Sequence, residues 1–326
     1  MMALAVPAHG QAPRLPQALV EPRFEAVGDV ASITDGVVSA LAQDGRGFIW
    51  IGTTAGLVRF DGYQLRTYQL GNDNRKTPAG TSFVRSLLAS QEGVLWIGTE
   101  SDGLARFDPQ TDRWTFFRSK PDDPKALASG TVRALAQALD GTLWVGTIGG
   151  GLDRFDPATG QFTHFRQGPA SGLPDDRIQA LFFDSQGDLW VGTWNGVARL
   201  RKGSTHFETL QVEGRPLGER IITLLAESPD GHLWVGTQQG DLLRLGKDSP
   251  KLQWVELGEQ SCRRDTLYAM VAPDPQRLWM ARASGIEERD PVSGRLLRRL
   301  QHDIRRPWGL AGNDVRALVK DAAGWI

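Results

Sequence analysis

Apolar and polar positions in this chain repeat on two scales. On the short scale they mark brief extended segments. "VRALAQA" (132–138), "TLWVGT" (142–147), "LDRFD" (152–156) and "QFTHFR" (161–166) each have strand character and follow one another across short turns rich in Gly, Asp and Pro. "LDG" before the Trp segment and "DPATG" after the third segment carry hairpin chemistry. In the second segment Leu143 and Val145 point one way and Trp144 the other, so that strand is apolar on both faces. A strand of that kind must be covered on both sides.

On the long scale the whole group recurs. "GFIWIGT" (47–53), "GVLWIGT" (93–99), "GTLWVGT" (141–147), "GDLWVGT" (187–193) and "GHLWVGT" (231–237) are one motif, with a weaker sixth copy, "QRLWMAR" (276–282). Their anchors are Trp50, Trp96, Trp144, Trp190, Trp234 and Trp279, spaced 46, 48, 46, 44 and 45 residues apart. Four strands per unit of this length is the signature of propeller blades, whereas a solenoid uses fewer strands per repeat. Blades flanked by blades also explain the doubly apolar second strand, which makes the Trp column inter-blade core.

The expectation is an all-β, seven-bladed propeller of four-stranded blades over 22–326. Blades 1 to 6 span about 35–70, 82–118, 131–166, 177–211, 220–257 and 265–301. The closing "DAAGWI" aligns Gly324 with Gly47, so the seventh blade is expected as a partial unit, 314–326, truncated in its second strand. "PRFEAVG" (22–28) resembles the fourth strands "RWTFFRS" and "QFTHFRQ", and is expected to complete that blade and leave one sheet edge exposed.

Composition narrows the function classes. Among 326 residues the net charge is −1, and the arginines are scattered, so no basic stripe suits nucleic acid. Cys262 is the single cysteine, which excludes an internal disulfide framework and a Cys-based zinc site. Residues 1–21 read as a signal-peptide remnant or flexible leader: Met1 to Ala8 is apolar, and the small residues Gly10 and Ala12 follow at plausible cleavage positions.

Enzymatic signals are weak. There is no Gly-x-Ser-x-Gly, and the histidines at 9, 164, 206, 232 and 302 have no metal-ligand spacing. The carboxylate pairs Asp122-Asp123, Asp175-Asp176 and Glu287-Glu288 fall in turns or outer strands. "SPDGHLW" (228–234) resembles an Asp-box that is one residue short. Gly149-Gly150-Gly151 lacks the Lys-Ser/Thr of a phosphate loop and reads as a turn between strands. The chain is therefore expected to have no catalytic residue, metal or cofactor of its own.

"QDGRGFIWIGTTAGLVRFDGYQLRTYQ" (43–69), "DSQGDLWVGTWNGVARL" (184–200) and the linker "LPDDRIQAL" (173–181) resemble the two-component regulator propeller repeat. Blade 6 departs from it, with Ala281-Arg282 in place of Gly-Thr. The resemblance implies the periplasmic, ligand-sensing part of a receptor anchored in the inner membrane. It also implies a downstream propeller, an Ig-like domain, a membrane helix, and a histidine kinase or diguanylate cyclase as output, commonly in a homodimer. The alternatives are an exported propeller enzyme such as a lyase, or a protein-interaction scaffold.

Propeller geometry places candidate ligand contacts. Eleven residues before each anchor stand Ser39, Arg85, Arg133, Gln179, Thr223 and Tyr268, with Arg316 in register in the partial unit. This column should ring the channel mouth, where Arg85, Arg133, Gln179, Tyr268 and Arg316 suit an anion or a sugar, because guanidinium offers a fork of donors. The loops between second and third strands lie on the same face and add Trp194, Asn195 and Arg282. The expected ligand is a small molecule or carbohydrate.

Overall fold

The computed structural model describes residues 22–27, 37–70, 83–120, 122–246, 249–257 and 265–326. The leader at 1–21 falls outside them, as does most of the inter-blade loops at 70–81 and 258–265.

Each Trp motif becomes the second strand of an antiparallel sheet, and six such sheets follow one another around an axis. Blade 3 is representative, with strands Val132–Gln137, Leu143–Thr147, Leu152–Asp156 and Gln161–Phe165. First strands of successive blades lie side by side near the axis. Blade 5 gains a fifth strand because Gln211–Val212 pairs in parallel with Lys251–Trp254, leaving blade 4 an outer strand of only Glu208–Thr209.

The repeat motif has a physical reason at each position. The turn Asp bonds backbone N–H groups and receives the indole N–H. Asp44 Oδ1 accepts from Phe48 N at 3.1 Å and Oδ2 from Trp50 Nε1 at 2.9 Å, and Asp184 does the same for Trp190 at 2.8 Å. The Thr closes the next hairpin: Thr53, Thr99, Thr147 and Thr193 donate to Gly56, Gly103, Gly151 and Gly196 carbonyls at 2.8–3.0 Å. The Gly before it admits the next blade. A Cβ on Gly98, Gly146 or Gly192 would lie 2.6–2.8 Å from Val132, Ile178 or Ile222, closer than carbon atoms approach. All six Trp anchors are buried, and five apolar clusters join blades 1 to 6 in succession.

Among the described residues the expected count of seven blades is corrected to six. Residues 22–27 and 314–326 form no strands among the described residues. They nevertheless occupy the sector between blades 6 and 1. Phe24 packs on Trp279 at 5.9 Å, as Phe207 packs on Trp144, and its N–H donates to the Trp308 carbonyl. Lys320 Nζ bonds the Pro273 carbonyl of blade 6, and Ala322 N bonds Gln43 Oε1 of blade 1 at 2.8 Å. Asp321 and Gly324 even form the turn that precedes the Trp strands of blades 1 to 5. A strand, however, is a pairing, and no described segment supplies the 314–326 stretch with a ladder partner.

The close approach at the repeat glycine is testable by a double-mutant cycle. Gly192→Ala should cost about 1–3 kcal/mol by overpacking and Ile222→Ala about 2–5 kcal/mol by leaving a cavity. The pair combined should cost clearly less than the sum, read from urea unfolding. Strict additivity would show that the two positions do not compete for one space.

Candidate ligand-binding face

The channel-mouth column owes its position to a β-bulge. In blade 2, Val84 pairs with Thr99 and Ser86 with Gly98, so Arg85 is the extra residue; Ser39, Arg133, Gln179, Thr223 and Tyr268 stand in the corresponding shifts of their own blades. Bulges re-aim a side chain out of the sheet's alternation. The short residues of the column turn inward, Ser39 Oγ donating to the Val84 carbonyl and Thr223 Oγ1 to the Leu267 carbonyl, each in the next blade. The long ones remain available.

A second column stands four residues after each anchor: Thr54, Glu100, Ile148, Trp194, Gln238 and Ala283. The backbone N–H of Glu100, Ile148, Trp194 and Gln238 donates to the Phe83, Thr131, Arg177 and Ile221 carbonyls, which fixes these residues beside the bulge column on one face.

Arg85 and Arg133 come together. The Arg85 guanidinium lies 3.6 Å from the Phe83 ring centroid and forms an ion pair with Glu100. Arg133 makes no hydrogen bond or ion pair among the described residues. Burial holds its guanidinium below the usual pKa, repulsion from Arg85 adds to this, and attraction to Glu100 opposes it. Arginine stays cationic nonetheless, so two guanidinium groups share one carboxylate.

The other candidates divide. Tyr268 and Arg316 are neighbours, the guanidinium 5.8 Å from the ring centroid, and Arg316 is paired with Asp314 at 2.9 Å. Gln179 is half-buried with no hydrogen bond among the described residues. Trp194 lies under the Arg177 guanidinium at 4.6 Å, and its indole N–H is buried without a partner. Arg177 is itself held by Asp175, Nε to Oδ1 at 2.8 Å. Asn195 is exposed, its backbone N–H on Thr193 Oγ1.

Arg282 is not brought to this face. Its side chain is 0% exposed, with Nε 2.9 Å from Glu287 Oε2 and Nη1 donating to the Asp265 carbonyl at 2.7 Å. Glu287 also binds Arg289 at 2.8 Å, and burial is outweighed by these arginines, which hold its pKa below the usual value. Gly149-Gly150-Gly151 is likewise structural. Gly149 and Gly151 N–H groups both donate to the Asp176 carbonyl, and a Cβ on Gly150 would meet Ser129 Cβ at 2.8 Å. Glu100 was legible only as a loop residue, although its shared offset with Trp194 marks the second column. No group of three or more His, Cys, Asp or Glu among the described residues is placed to hold a metal.

The family model for the two-component regulator propeller matches residues 32–55 and 172–195. No curated protein matches the chain. Among solved structures, the extracellular domain of BT3049 from B. thetaiotaomicron, described as a hybrid two-component system, has a TM-score of 0.76 at 21% identity, covering 92% of this chain and 40% of that one. The corresponding domain of BT4673 from the same organism gives 0.75 at 22%, covering 93% and 38%. Virginiamycin B lyase from Staphylococcus aureus gives 0.59 at 14%, covering 77% and 80%. At these identities the likeness shows the fold alone. The chain spans about two fifths of the length of the two extracellular domains.

The different situations of Arg282 and Arg133 predict opposite responses. Arg282→Ala should destabilise by about 3–5 kcal/mol, because it breaks a buried charge network. Arg133→Ala should stay within about 1 kcal/mol of the parent, since it removes a half-buried cation without an ion pair. Chemical denaturation of both variants checks this.

Proposed function

We propose that this chain, whose repeats are those of the two-component regulator propeller family, is the ligand-sensing extracytoplasmic module of a transmembrane signalling receptor. Support comes from the repeat match and from the fold shared with extracellular domains of systems of that kind. Among the described residues no helix is long and apolar enough to cross a membrane. In this reading the module lies in the periplasm of a protein anchored in the inner membrane. A further propeller, an Ig-like domain, a membrane helix and a kinase or cyclase complete the receptor, which works as a homodimer.

The observation that carries the reading is the Arg85–Glu100–Arg133 group at the channel mouth. Two cations around one carboxylate leave a net positive charge on a rigid rim. Phe83 and Glu100 hold Arg85 in place, so little side-chain entropy remains to be lost on binding. Arg133 offers an unused fork of donors to a carboxylate or sulfate. On the next blade the half-buried Gln179 supplies an amide. An acidic carbohydrate fragment fits this set: its anionic group on the arginines, its hydroxyls on the amide. Binding would shift the receptor's population by as much as its affinity differs between signalling states.

Titration of the intact protein with acidic and neutral oligosaccharide fragments tests the proposal. Arg85→Ala and Arg133→Ala should each weaken binding of the acidic fragments by about tenfold or more, with thermal melting nearly unchanged. Arg316→Ala, which sits beside Tyr268 and is already paired with Asp314, should matter less. Equal affinity in the parent and the Arg85 and Arg133 variants would sink this assignment.

A further inference from the structure

The opposite face carries a cleft of about 960 Å³ between blades 3 and 4. It is bounded by the turn before Trp144, the corresponding turn of blade 4 and the turn after Leu200. One wall is apolar, made by Leu139, Phe183 and Leu200, with Leu139 83% exposed. The edge of Trp144 forms part of the floor, its ring fixed against Phe165 at 5.3 Å and Phe207 at 6.3 Å.

Two donors in this cleft are unused. In four blades the anchor indole N–H is taken by a protein oxygen: Trp50 by Asp44, Trp190 by Asp184, Trp234 by Ser228 and Trp279 by Glu288, at 2.8–3.2 Å. In blade 3 the acceptor position holds Ala138, and Trp144 Nε1 donates to no group among the described residues. Arg154 is the cross-strand partner of Trp144. Its guanidinium also makes no hydrogen bond or ion pair among the described residues. The nearby acids are engaged: Asp140 Oδ1 accepts from Thr142 N at 2.9 Å, and Asp184 accepts from Asp188 N and the Trp190 indole. Lys202 adds positive charge at the rim, where Arg201 is paired with Glu208 at 3.2 Å.

The adjoining cleft between blades 4 and 5, of about 690 Å³, is an internal control. It has the same Trp and Arg pair, but Trp190 is bonded to Asp184, and Arg199 Nε lies 3.0 Å from Asp188 Oδ2. Its indole N–H is bonded and its guanidinium is ion-paired within the protein. Of these two clefts, the one at blade 3 leaves both the indole and the guanidinium donors free.

We propose that the blade 3–4 cleft binds a small amphipathic carboxylate, one carboxylate oxygen on Trp144 Nε1 and the other on Arg154, with the apolar body against Leu139, Phe183 and Leu200. Two oxygens of one planar head match two donors on paired strands, and the apolar wall selects a ligand with an aryl or alkyl body over a bare anion. This site is separate from the channel mouth and does not depend on the sensing role assigned there.

The test is a titration of the intact protein, followed by indole and amide N–H spectra, with phenyl, indolyl and short alkyl carboxylates and with the matching amides. The Trp144 indole signal, assigned by its loss in Trp144→Phe, should shift saturably with carboxylates, and the amides should bind about tenfold or more weaker. Arg154→Leu should weaken carboxylate binding to a similar extent. The decisive variant is Ala138→Asp, which restores the acceptor used in blades 1 and 4. It should fold at least as stably as the parent and lose carboxylate binding by about tenfold or more. The proposal is overturned if no carboxylate binds saturably, if amides bind equally well, or if Ala138→Asp binds like the parent.

Discussion

The contact on which this structure depends is the seating of one aliphatic side chain on one glycine. Val84, Val132, Ile178, Ile222 and Leu267 open the first strands of blades 2 to 6, and each fills the space over the repeat glycine of the blade before it. The absent Cβ sets how closely neighbouring sheets approach, and therefore how tightly the first strands gather around the axis. The bulge follows at the very next residue in each blade. The residue that locks two blades together is thus followed directly by one turned toward the channel mouth. Packing and presentation are set by adjacent positions of the same strand.

Much of this was legible because it is periodic. Trp spacing, the turns rich in Gly, Asp and Pro and the doubly apolar second strands give the blade, its strand order and its core. Other features were hidden because they depend on pairing rather than residue type. A bulge has no composition signal, so the constant offset of Arg85 and Arg133 from their anchors predicted a ring but not what aims it. The blade count failed for the same reason. Residues 314–326 have strand-like sequence and even make the expected turn, yet strand structure requires a hydrogen-bonded neighbour. Arg282 illustrates a third limit. Its number in the repeat placed it on the loop face, and only Glu287, two strand positions after Gly285, explains why it lies inside.

Blade 6 shows how a repeat tolerates loss of its own motif. Pro273 stands where blades 1, 2, 4 and 5 have Asp or Ser, so the turn offers Trp279 no side-chain acceptor. The indole N–H instead reaches Glu288, which replaces the cross-strand Arg of the other blades. Arg282, in place of Thr, is neutralised by Glu287, with Arg289 and Arg299 completing the cluster. These substitutions compensate one another. A lone charge at any of these buried positions would carry a desolvation penalty of several kcal/mol, whereas together they preserve the Trp anchor. The departures from the repeat are a coupled set rather than accumulated decay.

The same comparison separates what the scaffold needs from what its surfaces can vary. At the bulge column, Ser39 and Thr223 tie one blade to the next through a hydroxyl, while Arg85 and Arg133 extend outward and contribute no inter-blade hydrogen bond. Both choices leave the aliphatic residue before them in place. At the indole position, Asp44 and Asp184 complete the turn internally, while Ala138 leaves Trp144 with a free donor in an equally buried ring. In each column the fold accepts either an inward or an outward use of the same position, because the glycine contact already secures the blade. A propeller built this way can change what it recognises at one blade without disturbing the packing of the other five.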